Sequence, residues 1–409
     1  MLNFIWAGFF IIAFISALFQ LIIWGDTQVF VRLMDSVFSM SRLAFEISLG
    51  LIGVMAFWLG IMKVGEKSGF LDAIVRFLRP LLKRLFPGVP ADHPAMGSML
   101  LNLSSNALGL DNAATPLGLK AMQDLQSLNP DPERATNAQI LFLVLNTSSV
   151  TLFPVTVFAF RAQQGAENPT DVFIPILFAT FASTLTGLLF VGWNQGLKLF
   201  DRVVLSYLGG FFLFMAALLL YFVNLNQEAM QSQSAFLSNF LLFSIITGFI
   251  SGALVKKVNV FEVFIEGAKK GFDVAITIIP YLVAMLVGIG VFRACGVLDG
   301  LLDLMRIFVS VMGGDTRFVD ALPTAVMKPF SGSGARSLMV ETMQAHGADS
   351  FAGKLVGIVQ GSTETTFYVA ALYFGAVKIK NTRNAIPFGL AADFAGIVAA
   401  IVLGYLFFG

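Results

Sequence analysis

The sequence predicts an all-α polytopic membrane protein of two inverted-topology repeats, with broken or re-entrant helices and interfacial amphipathic helices. Three observations carry that prediction. Of the 409 residues, 57% are hydrophobic and only 12% charged, about half the charged share of a soluble domain. Apolar runs of about 20 residues, the length that spans a bilayer, recur along the chain. The polar landmarks also recur: a shift of 227 carries Asp35 to Glu262, Arg42 to Lys269, Gly69 to Gly296, Asp72 to Asp299, Arg79 to Arg306 and Ser104 to Ser331.

The first run, 4–24, reads as a retained span, being longer than a signal-peptide core and without a basic start or a small-residue cleavage site. Residues 28–43 place Arg32, Asp35, Ser39 and Arg42 on one helical face, the pattern of a helix lying in the interface. The second span, 45–62, follows, with Glu46 (and its counterpart Asp273) capping a helix entrance. Residues 70–86 form another amphipathic helix, with Asp72, Arg76, Arg79 and Lys83 on its polar face and a kink at Pro80.

Residues 95–119 are too polar for an ordinary span and are interrupted by Gly109 and Pro116, so a re-entrant hairpin or broken helix is expected. After a polar loop at 125–137, the run 140–160 is apolar except for Asn146, Thr147, Ser148, Ser149 and Pro154. Spans follow at 172–193, 207–223 and 236–254. The series then repeats, with the shift falling to 215 beyond the loop, so that Thr147 meets Ser362 and Ser149 meets Glu364.

Only 207–223 has no counterpart. One added crossing turns the second half over, which divides the chain into 1–200, a linker with an extra span at 201–235, and 236–409. With the N-terminus inside, 17 of the 26 cations fall on the cytoplasmic side and the loop 224–234 carries none, as the positive-inside rule requires. The C-terminus is then outside, and the expected location is a bacterial inner membrane.

Polar residues interrupt apolar segments at 102–116, 146–154, 328–337 and 361–366, in equivalent places of the two halves. Interruptions paired in this way point to a midplane binding site. A helix that stops inside the membrane leaves backbone N–H groups free at its start and carbonyls at its end, which attract anionic groups and cations respectively. The candidate binding residues are Asn102, Ser104, Ser105, Asn106, Asp111, Asn112, Asn146, Thr147, Ser148, Lys328, Ser331, Ser333, Arg336, Ser362, Thr363 and Glu364. Each hydroxyl has a bland alternative, a bond to its own helix carbonyl. Gly332 and Gly334 suit either close approach to a ligand or close helix packing.

Charge within a span is costly, so such residues should be paired or functional. Glu364 is expected to pair with Lys328 or Arg336, to carry a coupling proton or to compensate a bound Na⁺. Asp393, inside the last apolar helix, could be neutralised by Lys378 or Lys380 reaching in. No cofactor is expected beyond such a coupling ion. One cysteine and two histidines exclude a cysteine cluster or a His-rich metal site, and 26 cations against 25 anions suggest no nucleic-acid partner. Phosphate-loop, zinc-protease and nucleophile-elbow motifs are absent, so an enzyme is not expected. The partners are the lipid bilayer and a small polar solute; a homo-oligomer is compatible with the sequence.

The tract 102–122, Asn-Leu-Ser-Ser-Asn-Ala-Leu-Gly-Leu-Asp-Asn-Ala-Ala-Thr-Pro-Leu-Gly-Leu-Lys-Ala-Met, resembles spore maturation protein A. Lys-Pro-Phe-Ser-Gly-Ser-Gly-Ala-Arg at 328–336 and Gly-Ser-Thr-Glu-Thr-Thr-Phe-Tyr at 361–368 resemble spore maturation protein B. The resemblance implies a fusion of the two, within the membrane proteins that bear a Gate or nucleoside recognition domain. It also implies a relation to concentrative nucleoside transporters. The expected function is an inner-membrane carrier of a small polar solute, nucleoside-like or an organic anion, bound near the midplane between the repeats. The alternative is a non-transporting scaffold or regulatory module.

Overall fold

The computed structural model describes residues 2–108, 111–148 and 151–409, without the side chains of residues 2, 3, 111–113, 274 and 275. Among the described residues the fold is helical throughout. The first part comprises α1 (Leu2–Trp24), α2 (Val29–Ser68), α3 (Phe70–Leu85), α4 (Pro94–Ala107), α5 (Asp111–Gln126), α6 (Asn137–Thr147), α7 (Val155–Gln163) and α8 (Phe173–Gln195). A further helix, α9 (Arg202–Val223), joins it to α10 (Gln227–Val255), α11 (Val260–Ala294) and α12 (Val297–Val311). A 3₁₀ turn at Arg317–Ala321 leads to α13 (Leu322–Met327), α14 (Gly332–His346), α15 (Phe351–Gly361), α16 (Thr366–Ala376) and α17 (Ala385–Phe408). Seven of these helices are long and apolar enough to cross a membrane.

One expectation is corrected. The proposed interfacial helix at 28–43 and the span at 45–62 are a single helix, the 40-residue α2. At 1.5 Å per residue it is about 60 Å long, more than one bilayer core. No proline interrupts it, and Arg42 and Glu46 join as an i,i+4 pair at 2.7 Å across the expected boundary. Glu46 is thus inside a helix and caps nothing. Asp273 likewise lies within α11.

The left-handed backbone at Gly69 (φ 86°) turns α2 directly into α3, and Gly296 (φ 77°) does the same between α11 and α12, a conformation that glycine adopts without a Cβ clash. Thr136 and Gln139 form a reciprocal cap on α6. Ser331 and Ser350 accept from Gly334 N (3.0 Å) and Gly353 N (2.9 Å), starting α14 and α15.

The centre of the fold is α2 against α11, running antiparallel. A Cβ on Gly271 would stand 2.5 Å from the Ala56 backbone, and one on Gly290 2.5 Å from Met40 Cγ, so small residues set the spacing of this pair. Helices α8 and α17 are also antiparallel, with Gly187 against Ala392 and Gly396 against Ser183. Helix α6 lies beside α16 and α7 beside α15. Helices α4 and α5 form a hairpin, as do α13 and α14. The outer helices α1, α9 and α10 expose Ile22, Leu213 and Phe236, as lipid-facing surfaces do.

Loop contacts fall into two groups. At one end Lys380 pairs with Glu133 (2.5 Å), Arg84 with Asp201 (3.7 Å) and Lys256 with Asp72 (3.4 Å). At the other, Arg161 pairs with Asp349 (3.2 Å), Arg306 with Asp320 (2.5 Å), and Tyr405 Oη donates to Asp315 Oδ1 (3.0 Å).

Candidate functional site

All four polar interruptions fall where helices stop: between α4 and α5, α6 and α7, α13 and α14, and α15 and α16. A broken helix must find other partners for its terminal backbone groups, and here the breaks supply one another. Leu152 N donates to Ala107 O (2.8 Å), Glu364 N to Thr147 O (2.8 Å) and Phe367 N to Pro329 O (3.0 Å). These three bonds join the breaks in series. Side chains add to them: Asn106 Nδ2 and Tyr373 Oη both donate to Asn146 Oδ1, at 2.6 and 3.1 Å, and Asn102 Nδ2 donates to Ala114 O at 2.8 Å.

Beside this junction lies a cavity of about 1000 Å³, at the upper end of the usual range for small-molecule sites. Its polar lining includes Asn106, Thr115, Asn146, Ser331, Ser333, Arg336, Glu364 and Thr365, and its aromatic walls include Tyr281, Phe330, Phe367 and Tyr368. Phe330 and Phe367 stack with centroids 5.1 Å apart. The cavity reaches Gly375, Ile379 and Thr382, toward the end of the fold that holds the Lys380–Glu133 pair.

The first turns of α14 and α16 both open onto this space, through Ser331, Gly332 and Ser333 and through Thr365 and Phe367. One N–H of each first turn is already held, Gly334 N by Ser331 Oγ and Phe367 N by Pro329 O, while the positive end of each helix dipole favours electron-rich groups. Arg336 adds a cation and Glu364 an anion. Arg336 Nε donates to Gly332 O of its own helix (3.2 Å), and among the described residues it forms no ion pair with Glu364. Of the two pairings expected of Glu364, with Lys328 or with Arg336, the one with Arg336 is absent among the described residues, and both side chains line the cavity.

The same family model matches the chain twice, at residues 48–164 and 275–380, and is described as nucleoside recognition, or Gate. The chain belongs to the Gate family. The two Gate matches begin 227 residues apart, at 48 and 275. Spore maturation protein A of Bacillus subtilis (strain 168) is 43% identical over 183 residues, covering 45% of this chain and 90% of the relative. Spore maturation protein B of the same organism is 44% identical over 165 residues, covering 40% of this chain and 91% of the relative. This Gate protein is thus a fused counterpart of both. No solved structure matches it.

The candidate residues separate into two sets. Asn106, Asn146, Ser331, Ser333, Arg336 and Glu364 line the cavity. Asn102, Ser104, Ser105, Thr147, Ser148, Lys328, Ser362 and Thr363 are buried around it. Ser148 and Ser362 bond their own helix carbonyls, at Val144 O (2.7 Å) and Val359 O (2.9 Å), the bland alternative. Ser104 and Ser105 make no such bond. The side chains of Asp111 and Asn112, and all of Ser149, lie outside the described residues. Of the glycines, Gly332 abuts Thr365 Oγ1 and Gly334 abuts Met285 and Met327, so Gly334 serves packing.

Sequence reading missed Tyr373, which sits in apolar helical context, and did not single out Thr365 or Tyr368, although both fall in the tract 361–368. It misplaced the partner of Asp393: Lys380 is occupied by Glu133, and Asp393, 1% exposed, accepts from Thr363 Oγ1. The histidines stand apart, His93 capping α4 and His346 3.7 Å from Asp320.

Proposed function

We propose that this Gate protein carries a small polar solute, nucleoside-like or an organic anion, bound near the membrane midplane between two inverted halves. The observation that carries the reading is one cavity faced by two helix N-termini, a guanidinium and a carboxylate. An anionic or carbonyl-bearing edge would meet α14, α16 and Arg336. A donor group would meet Glu364, and a flat face the aromatic walls. The description of the family as nucleoside recognition supports the nucleoside-like arm.

The antiparallel runs of α2 with α11, α8 with α17, and α6–α7 with α15–α16 support an inverted duplication with halves 1–200 and 236–409, joined through 201–235. Such halves can rock about a fixed central site. In this reading the end holding the Lys380–Glu133 pair is cytoplasmic, and the cavity is open toward it. A second reading, a scaffold serving spore maturation as the relatives' names suggest, is favoured only by the dry burial of Asn102, Ser104 and Ser105.

Uptake into proteoliposomes, screened with nucleosides and organic anions, tests the proposal. Glu364→Gln and Arg336→Gln should each cut uptake of the accepted solute at least about tenfold, the effect of some 1.4 kcal/mol, with the thermal unfolding midpoint unchanged. Equal uptake in both variants and wild type would remove the cavity from the mechanism. For the topology, Glu228→Cys should react with an impermeant thiol reagent from outside intact cells, and Lys380→Cys only after permeabilisation. Labelling of both from one side would sink the inverted arrangement.

A further inference from the structure

Helices α3 and α12 follow the same kind of turn, at Gly69 and Gly296, yet they use their charges differently. On α12 the charges are spent within the fold. Arg306 is held by Asp303 (2.6 Å) and Asp320 (2.5 Å), and Asp299 stands 3.6 Å from Arg293. On α3, Arg76, Arg79 and Lys83 are spaced three and four apart, so they share one face, and all three are exposed. Arg76 bonds only the carbonyl of Asp72 in its own helix (3.4 Å). Arg79, the counterpart of Arg306, and Lys83 form no ion pair among the described residues. This cationic row is left for an anion from outside the chain.

An apolar crevice opens beside it. The end of α8 and the turn at 196–200 line a groove of about 480 Å³ with Leu189, Phe190, Trp193, Leu197, Leu199 and Phe200. Its floor is closely packed: Leu197 N donates to Gly192 O (2.9 Å), and a Cβ on Gly192 would stand 2.7 Å from Leu199 Cδ1. Its rim is open, with Trp193 and Phe200 85% and 90% exposed. Arg84, 3.7 Å from Asp201, ties the last turn of α3 to this turn. Tyr207 of α9 donates to Phe77 O at 2.7 Å and lays its ring against Phe77. Lys198 and Arg202 flank the crevice, both exposed. Residues 70–86 and 196–205 together hold six cations and two anions. Both anions, Asp72 and Asp201, already face Lys256 and Arg84, so the surface keeps an excess of positive charge.

We propose that this surface binds a phospholipid with an anionic head group. Its phosphate lies against the cations of α3, Lys198 and Arg202, and an acyl chain lies along the crevice. The groove and the cationic row are adjacent, and a molecule that joins methylenes to a phosphate satisfies both. Free phosphate would satisfy only the cations. Exposed aromatic rings beside cations are also the pattern of the membrane–water interface, where such head groups reside. A lipid held here bridges α3 to the α8–α9 turn and fastens the helix that joins the two Gate matches. The surface shares no residue with the cavity and does not depend on the solute reading.

The test follows thermal unfolding of the full chain in detergent as phosphatidylglycerol or phosphatidylcholine is added at equal concentration. A ligand bound by the folded state raises the midpoint. Phosphatidylglycerol should raise it several degrees further than phosphatidylcholine, and high salt should shrink that excess. The excess should disappear when Arg79→Gln is combined with Lys83→Gln. It should disappear equally when Lys198→Gln is combined with Arg202→Gln, which serves if the first pair does not fold. Phe200→Ser, with every cation kept, should shrink it. Lys269→Gln with Lys270→Gln removes the same charge from α11 and should leave it intact. No excess in wild type, an excess unchanged in both cationic variants, or an equal loss in the α11 control would overturn the site. Inorganic phosphate that reproduced the whole shift would overturn it too, by assigning the cations to a free anion.

Discussion

Replacing Arg161 by glutamine should destabilise the protein by roughly 3–5 kcal/mol, the cost of breaking a buried ion pair by removing one partner. The guanidinium is fully buried, with Nη2 2.9 Å from Asp171 Oδ1 and 3.2 Å from Asp349 Oδ1. Nη1 donates to Ala348 O at 2.8 Å and Nε to Pro169 O at 3.2 Å. One side chain thus ties the loop after α7 to the turn before α15. Without it Asp171 keeps Lys354, at 3.0 Å, and Asp349 loses its only ion pair among the described residues. The check is the unfolding midpoint of the detergent-purified protein. Arg161→Lys should recover only part of the loss, because an ammonium cannot reproduce the planar fork. A wild-type midpoint in Arg161→Gln would mean that the tie carries no stability.

Gly271→Val should be the other severe change. Its Cβ would stand 2.5 Å from Cα and N of Ala56, and the neighbouring Gly267 is as close to Leu59 O. Backbone cannot yield as a side-chain tip can, so α2 and α11 would have to separate along their length. Overpacking costs about 1–3 kcal/mol and sometimes more. Gly271→Ala should fall in that range and Gly271→Val beyond it, seen as loss of the monodisperse species in size-exclusion chromatography. Gly53, with nothing within 4 Å of its Cβ position, is the control, and Gly53→Ala should behave as wild type. If Gly271→Ala also did so, close glycine contact would not set the spacing of this pair.

The breaks were legible because polar residues stand out in an apolar chain. Asn146 and Thr147 near a proline, and Ser331 between a proline and two glycines, announce interrupted helices by local composition alone. The boundary of α2 was not legible in the same way: a polar face followed by an apolar run reads as two elements, and only the unbroken backbone through Arg42 and Glu46 makes them one. Arg161, Tyr373 and Asp393 were harder still. Their partners lie far away in sequence, Asp349 for Arg161, Asn146 for Tyr373 and Thr363 for Asp393, and no spacing rule reaches so far.

The chain's amino-acid order by itself determined that this is a helical membrane protein, where four of its apolar segments break, and which polar segments must be sheltered. Hydropathy, proline and glycine act over a few residues, and lipid leaves the backbone little choice. Only the tertiary structure decided that the four stops bond to one another in series, that one cavity takes Arg336 and Glu364, and that Asp393 meets Thr363. Those outcomes depend on which helices become neighbours, and that is set by close packing at contacts such as Gly271 on Ala56.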